Sequence, residues 1–507
     1  MGPLVGSVAL TPALSRRERR FIRDAEDDRF LSMPRRLYIQ TVGCQMNVLD
    51  SELVAAELLR AGYELVDNPR QADTILLNTC SVRQHAEDKV YSALGRLKHV
   101  KQQRPGRIIG VLGCMAQKDQ QKIFRRAPHV DLVVGPGQLS QVPALLEQIA
   151  APPASGCPAS GRPASGCPGP RMATSLERTS GSRASVEQSY RRHDPLRTAG
   201  LRAAPHQAMV RIMFGCDKFC SYCVVPAVRG PEQSRPAAEI EAEVRCLAGQ
   251  GCLEVTLLGQ TVNSYHDRTG GRTVRLADLL YQLHEVEGLR RLKFVTNHPR
   301  HMTRELIEAV RDLPKVSPYL HVPAQSGSDR ILRQMKRGYT VEQYREMLAD
   351  IRETIPGVAV TSDFIVGFPG ETQQDYQQTV ELVREGRFKN SFIFKYSPRP
   401  KTKAAELYVD DVPDEVKRQR NNELLAVQNA ISLEDNQRFV GRRMEVLVEG
   451  PSKVGRKQSP AGEVVQLAGR TECDRIVVFD APRRLAGQIL PVTIQRADAV
   501  TLFGAPP

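Results

Sequence analysis

The chain has 507 residues, 41% of them hydrophobic, and 71 Lys and Arg against 57 Asp and Glu give it a formal net charge of +14. That length calls for several domains, each with its own core, and no apolar run reaches the roughly 18 residues that a membrane span needs. Eleven cysteines at irregular spacings exclude a disulfide scaffold and read as thiol ligands in a reducing, cytoplasmic setting. The basic excess suits a polyanionic partner such as nucleic acid, but solvated faces give the same charge, and composition leaves both open.

Residues 1–34 contain "SRRERRFIRDAEDD", whose order of charge and apolarity fits neither a secretory signal nor a transit peptide. They are expected to form a disordered or misassigned extension, with Met33 as an alternative start. From 35 to 150 the apolar runs "RLYIQTVG", "DTILLNT", "RIIGVLG" and "VDLVVGP" alternate with amphipathic segments such as "SELVAAELLRAG" and "AEDKVYSALGRLKHV". This predicts an α/β domain with an open parallel sheet covered by helices. Cys44, Cys80 and Cys114 each follow the carboxyl end of one predicted strand, the edge at which open α/β sheets gather ligands. Cluster ligands, structural zinc ligands and inert thiols all remain open for them.

Residues 151–205 carry "APPASGCPASGRPASGCPGP" and then a Ser- and Arg-rich stretch, which cannot bury enough surface to offset its ordering entropy and reads as a low-complexity linker. Cys157 and Cys167, in near-identical contexts, are products of the repeat.

From 206 to 436 the strands "MVRIMFG", "EVTLLGQ", "RLKFVTNH", "YLHVPAQ", "SDFIVGFP" and "SFIFKYS" alternate with helical patterns, predicting a partial (β/α)6 barrel. Polar or glycine residues follow the strands: Gln260 and Asn263, Asn297 and His298, Gln325 and Ser326, and Gly367 to Thr372. In such barrels that edge carries the chemistry. Cys246 and Cys252 lie on and just after a helix and read as structural thiols. Residues 437–507 show short, glycine-punctuated β runs, a small antiparallel barrel of about five strands. Its Arg442, Arg443, Lys453, Arg456, Lys457 and Arg470 can track a phosphate backbone or simply solvate the surface.

"GCDKFCSYC" sets Cys216, Cys220 and Cys223 on a loop after the first barrel strand. A structural zinc site wants four ligands. Three thiolates on a four-iron cube leave one iron open to substrate or cofactor, and the spacing resembles that of the radical S-adenosylmethionine enzymes.

Together with "TVGCQMNVLDSE", "LLNTCSVRQHAEDKVYSALGRL", "VLGCMAQ", "HVPAQSGSDRILRQMKRGYT", "SDFIVGFPGET" and "GRTECDRIVVF", the chain resembles the MiaB family of tRNA methylthiotransferases over nearly all of Leu37 to Phe503 outside the linker. The resemblance implies two [4Fe-4S] clusters, one on Cys216, Cys220 and Cys223 and an auxiliary one on Cys44, Cys80 and Cys114. It also implies a terminal TRAM domain, with S-adenosylmethionine on the barrel edge, for which Gln260, Gln325, Ser326 and Gly367 are candidate contacts. The implied reaction adds a methylthio group to carbon 2 of N6-dimethylallyladenosine at position 37 of tRNA. That ring hydrogen is beyond the reach of a positioned base, so radical chemistry is required. The implied partners are the tRNA anticodon stem-loop and an electron donor such as flavodoxin or ferredoxin, with no membrane and a monomeric chain.

Two departures touch the family pattern: Lys401 stands where a glycine is frequent, and Cys473 and Asp474 where an asparagine is, which puts details of RNA contact in doubt. Sister enzymes act on threonylcarbamoyladenosine in tRNA or on a ribosomal-protein aspartate, but Gln45 and Met46 favour the dimethylallyladenosine branch. An RNA-binding protein with structural clusters is the alternative of another class. Without Trp and with 5% aromatic residues, base recognition cannot rest on a broad stacking platform.

Overall fold

The computed structural model describes residues 5–9, 34–81, 84–151, 171–174, 201–202, 204–457 and 463–506. The first domain is built on a sheet of β1 (Val5–Ala9), β2 (Arg36–Gly43), β3 (Glu64–Leu65), β4 (Thr74–Thr79), β5 (Ile108–Gly113), β6 (Leu132–Val134) and β7 (Arg171–Ala173). The order is β1-β2-β4-β5-β6-β7 with β3 beside the end of β2, and every pairing but that of β1 is parallel. Successive residues of β4 feed opposite faces: Leu76 joins one apolar cluster, Ile75 and Leu77 another. Helix α1 (Gln45–Arg60) covers the first face through Val54 and Leu58, and α2 (Gln84–Gln103) the second through Val90 and Leu94. A two-sided cover is what continuous apolar strands demand.

β1 and β7 fall in segments expected to be an extension and a linker. β1 adds antiparallel to the outer edge of β2 and β7 adds parallel to β6, while Leu201 buries in the same core as Leu132 and Val134. Strands of five and three residues leave almost no periodic trace in a sequence; they form because each sheet edge offers unpaired N–H and C=O groups. Cys157 and Cys167 lie outside the described residues.

The second domain carries six parallel strands, β8 (Gln207–Arg211), β9 (Glu254–Leu258), β10 (Arg291–Phe294), β11 (Tyr319–His321), β12 (Ala359–Val366) and β13 (Asn390–Lys395). They pair as β8-β9-β10 and β11-β12-β13, joined by a parallel bridge from Leu292 to Val316. This is the partial barrel expected from the alternation. The last domain is a closed five-stranded barrel of Arg443–Pro451, Val464–Thr471, Ile476–Pro482, Thr501–Ala505 and Ile489–Ala497 in spatial order, antiparallel except where Ile476–Pro482 meets Thr501–Ala505. Helix α5 (Asp414–Gln437) leads into it and packs along β13, where Asn421 Nδ2 bonds the carbonyl of Ile393 at 3.0 Å.

The terminal barrel docks on the amino-terminal ends of the strands, away from the predicted chemical edge. Its turn carries Cys473 into an apolar cluster with Met46, Leu49 and Leu53 of α1 and Leu258 of β9. Asp474, beside it at φ 62°, receives Lys293 Nζ and Arg470 Nη1, each at 2.9 Å. Cys473 and Asp474 therefore occupy an interdomain joint, and Arg470 is bound into it rather than displayed to solvent.

Candidate active site

All three cysteines of the first domain lie at carboxyl ends of parallel strands. Cys44 caps α1 directly after β2, Cys80 follows β4, and Cys114 opens the short helix α3 (Cys114–Asp119) directly after β5. A buried polar network ties these loops together. Asn47 Nδ2 bonds Asn78 Oδ1 at 3.1 Å, Asn78 Nδ2 bonds Ser51 Oγ at 2.9 Å, and Thr79 Oγ1 bonds the carbonyl of Leu112 at 3.0 Å. Gly113, at φ +91°, lets α3 start against this network, since a Cβ there would stand 2.4 Å from Asn78 Oδ1. Fully satisfied buried networks of this kind fix geometry.

The second triad sits on the loop after β8. Gly215 is required at its entrance: φ is +69°, and a Cβ would meet Pro231 O at 1.9 Å. The loop is held by Ser221, whose Oγ donates to Gln334 O at 2.8 Å, and by Arg337, whose Nη1 donates to Cys220 Sγ at 3.3 Å. Arg337 is itself fixed by donating to the carbonyl of Pro323 at 3.0 Å.

One cavity of ≈ 660 Å³ is lined by all six cysteines. The two triads share a wall: Cys114 of the first domain packs against Val224 and Val228, on and just before the helix α4 (Val225–Arg229) that follows Cys223. Across this wall Arg229 Nη2 bonds Asp50 Oδ2 of α1 at 2.8 Å, with both side chains buried. A hydrogen bond from Cys80, aided by Arg229, lowers Cys44 to about 6, whereas burial pushes Cys114 up to about 11 and, with the neighbouring thiols, Cys223 up to about 12.

Gln260 and Gln325 line the cavity, as do Asn297 and His298. Ser326 and Gly367 do not. Ser326 is 1% exposed and turned toward Thr379 Oγ1, at 3.4 Å, on the helix Gln373–Gly386. Gly367, at φ +70°, backs onto Lys417, whose Cγ a Cβ would meet at 2.3 Å, and its N–H bonds Glu371 Oε1 at 2.9 Å. Asn263 is a tie rather than a wall, exchanging hydrogen bonds with the backbone of His298 at 2.8 and 2.9 Å. Sequence reasoning missed Arg229, Arg337, Asn47, Asn78 and Asp363, the last of which lies on β12 and faces the cavity. "CQMNVLD" places Asn47 one helical turn after Cys44 and "LLNTC" places Asn78 two residues before Cys80, a local signal that could have found these two. Nothing local marked the two arginines.

The donor set fits iron–sulfur clusters. Each triad is all thiol, as cluster ligation requires, each lines the shared cavity, and Arg229 and Arg337 stand by to share thiolate charge. Among the described residues no three His, Cys, Asp or Glu side chains are placed to hold a single metal ion.

Fold and site define a class, that of radical S-adenosylmethionine enzymes with an additional amino-terminal domain. Residues 210–383 match the radical SAM superfamily and 36–135 match the uncharacterized protein family UPF0004. A radical S-adenosylmethionine methyltransferase, TsrM from Kitasatospora setae, shares the fold at TM-score 0.50 and 15% identity, over 70% of this chain and 74% of that one.

The chain belongs to the family of tRNA-2-methylthio-N(6)-dimethylallyladenosine synthases. It is 56% identical to the one from Rhodopirellula baltica over 94% of this chain and 96% of that protein. The one from Bordetella petrii is 44% identical over 91% and 89%, and the one from Moorella thermoacetica 42% over 92% and 97%. A [4Fe-4S] cluster and S-adenosylmethionine are accordingly its cofactors, and no helix among the described residues is long and apolar enough to cross a membrane.

Proposed function

We propose that the protein adds a methylthio group to carbon 2 of N6-dimethylallyladenosine at position 37 of tRNA, and that it uses two clusters in one cavity to do so. The observation that carries this reading is the meeting of six cysteines, three from each of two domains, around a single cavity, in a chain 56% identical to a protein of that name. Cys216, Cys220 and Cys223 hold one [4Fe-4S] cluster, and Cys44, Cys80 and Cys114 hold a second. With S-adenosylmethionine bound, the first supplies abstraction of a hydrogen atom that no side chain in the cavity can remove as a proton.

The residues of the chain bind, orient and shield. Gln260, Gln325 and Asn297 present polar groups on the cofactor edge of the barrel, with Asp363 deeper in the same wall. The amino-terminal domain roofs that edge, so a base turned out of the anticodon loop enters a pocket between domains, the arrangement that chemistry on a ring atom demands. Exposed Arg442, Arg443, Lys453, Arg456 and Lys457 of the terminal barrel supply phosphate contacts. Residues 35–150, 206–436 and 437–507 act as the three working units, in a monomeric cytoplasmic enzyme reduced by a flavodoxin or ferredoxin.

Two measurements test this. tRNA from a deletion strain is expected to lack 2-methylthio-N6-dimethylallyladenosine and to keep the unthiolated nucleoside; persistence of the product refutes the assignment. Anaerobic reconstitution is expected to load about eight irons per chain, and about four removes the second cluster from the account.

A further inference from the structure

We propose that Arg229 sets the reduction potential of the auxiliary cluster, and that Asp50 limits how far it does so. The proposal rests on the reading of Cys44, Cys80 and Cys114 as cluster ligands. Arg229 ends α4, six residues after Cys223, so the chain that forms the radical loop delivers this guanidinium into the wall of the other triad. Its Nη2 is taken by Asp50 at 2.8 Å, while Nη1 is buried with no oxygen or nitrogen partner and the guanidinium lines the cavity beside Cys44 and Cys114, acting on the Cys114 thiol. A buried N–H donor left over is costly unless an acceptor arrives, and the Cys44 and Cys114 sulfurs line the same cavity.

Asp50 is wholly buried, six residues after Cys44 on α1, and also faces Arg211 Nη1 at 3.5 Å. Arg211 and Arg229 both lie near the ring of Phe214, at 5.5 and 5.7 Å. The Arg229 guanidinium stays charged at any working pH. Reduction adds an electron to the cluster, so a fixed nearby cation favours the reduced form and raises the potential, and a low effective dielectric magnifies the effect. The carboxylate works in the opposite sense.

The test uses full-length protein carrying Cys216→Ala, Cys220→Ala and Cys223→Ala, so that only the auxiliary site can load. Iron is counted after anaerobic reconstitution, and the midpoint potential is read by EPR-monitored titration. Arg229→Gln is expected to shift the potential downward, Arg229→Lys to keep most of it, and Asp50→Asn to shift it upward. A pair that merely clamps two domains lowers thermal stability in both variants without moving the potentials in opposite directions, and that result overturns the proposal. Unmoved potentials in protein holding about four irons overturn it alone, whereas no iron in the parent protein overturns the second cluster and this proposal with it. Where Arg229→Gln fails to fold or load, Asp50→Asn and Arg229→Lys decide, and an unmoved or lowered potential in Asp50→Asn counts against it.

Discussion

Lys293 Nζ lies 2.9 Å from Asp474 Oδ1, joining the third strand of the radical barrel to a turn of the terminal barrel 181 residues later. The same ammonium reaches Glu254 Oε2 at 2.9 Å, and Arg470 takes the other oxygen of Asp474. Removing one partner of a buried ionic joint leaves the others uncompensated. Asp474→Ala is expected to cost about 3–5 kcal/mol in denaturant unfolding, and a loss below about 1 kcal/mol would show the joint to be ornamental.

The joint changes what truncation can teach. A chain ending after Asn436 loses Asp474 and Cys473 and exposes Lys293 and the apolar surface of α1, so it is expected to lose stability and tRNA affinity together. Arg442→Ala with Arg443→Ala separates the two. Both side chains are exposed, so thermal stability is expected to hold, while the slope of log affinity against log salt falls by about 1 per residue. An unchanged slope places the phosphate contacts elsewhere.

Lys401 sits at φ +69° on an exposed turn, where an L side chain pays roughly 1–2 kcal/mol in steric strain. A glycine would hold the same turn without that strain. Lys401→Gly is expected to raise stability by about 1 kcal/mol, the strain relief less the entropy glycine adds to the unfolded chain. A less stable variant would mean that the lysine makes a compensating contact.

Cys220→Ala and Cys44→Ala are expected to part company. Each lowers iron from about eight to about four per chain, but only Cys220→Ala abolishes release of 5′-deoxyadenosine from reduced protein. Loss of that release in Cys44→Ala would mean that the two sites load or work as one.

Acid sensitivity is expected to run partly through Asp375. Burial opposes its charge, but Arg330, Ser328 and Thr372 outweigh it and hold the carboxyl well below the usual carboxylate range; Ser328 Oγ and Thr372 Oγ1 donate at 2.6 Å. Its folded pKa is thus below the unfolded value of about 3.9, so its contribution is complete above that pH and is lost as pH falls further. Asp375→Asn is expected to lower stability at neutral pH and flatten the acid limb below about pH 4. Parallel pH profiles of the two proteins would exclude Asp375 as the titrating group.

The expected sheet and partial barrel follow from apolar runs whose period and length are set by the backbone, and β2, β4, β5 and β8 to β13 all fall on runs visible in the chain. β1 and β7 are too short to carry a period and exist only because an edge was waiting. Gln260 and Gln325 reach the cavity and Ser326 and Gly367 do not, although all four follow strands, because neighbouring positions in a loop can face a helix as readily as a ligand.

What the sequence by itself determined is the kind of chemistry: three thiols within eight residues after a strand, three more after parallel strands, and the alternation that gathers strand ends on one side. What only the tertiary structure decided is which groups share the cavity. Arg229 reaches Asp50, and Lys293 reaches Asp474, across about 180 residues of chain. Ionic contacts at that separation arise from domain docking, where burial selects the partner and local pattern has no say.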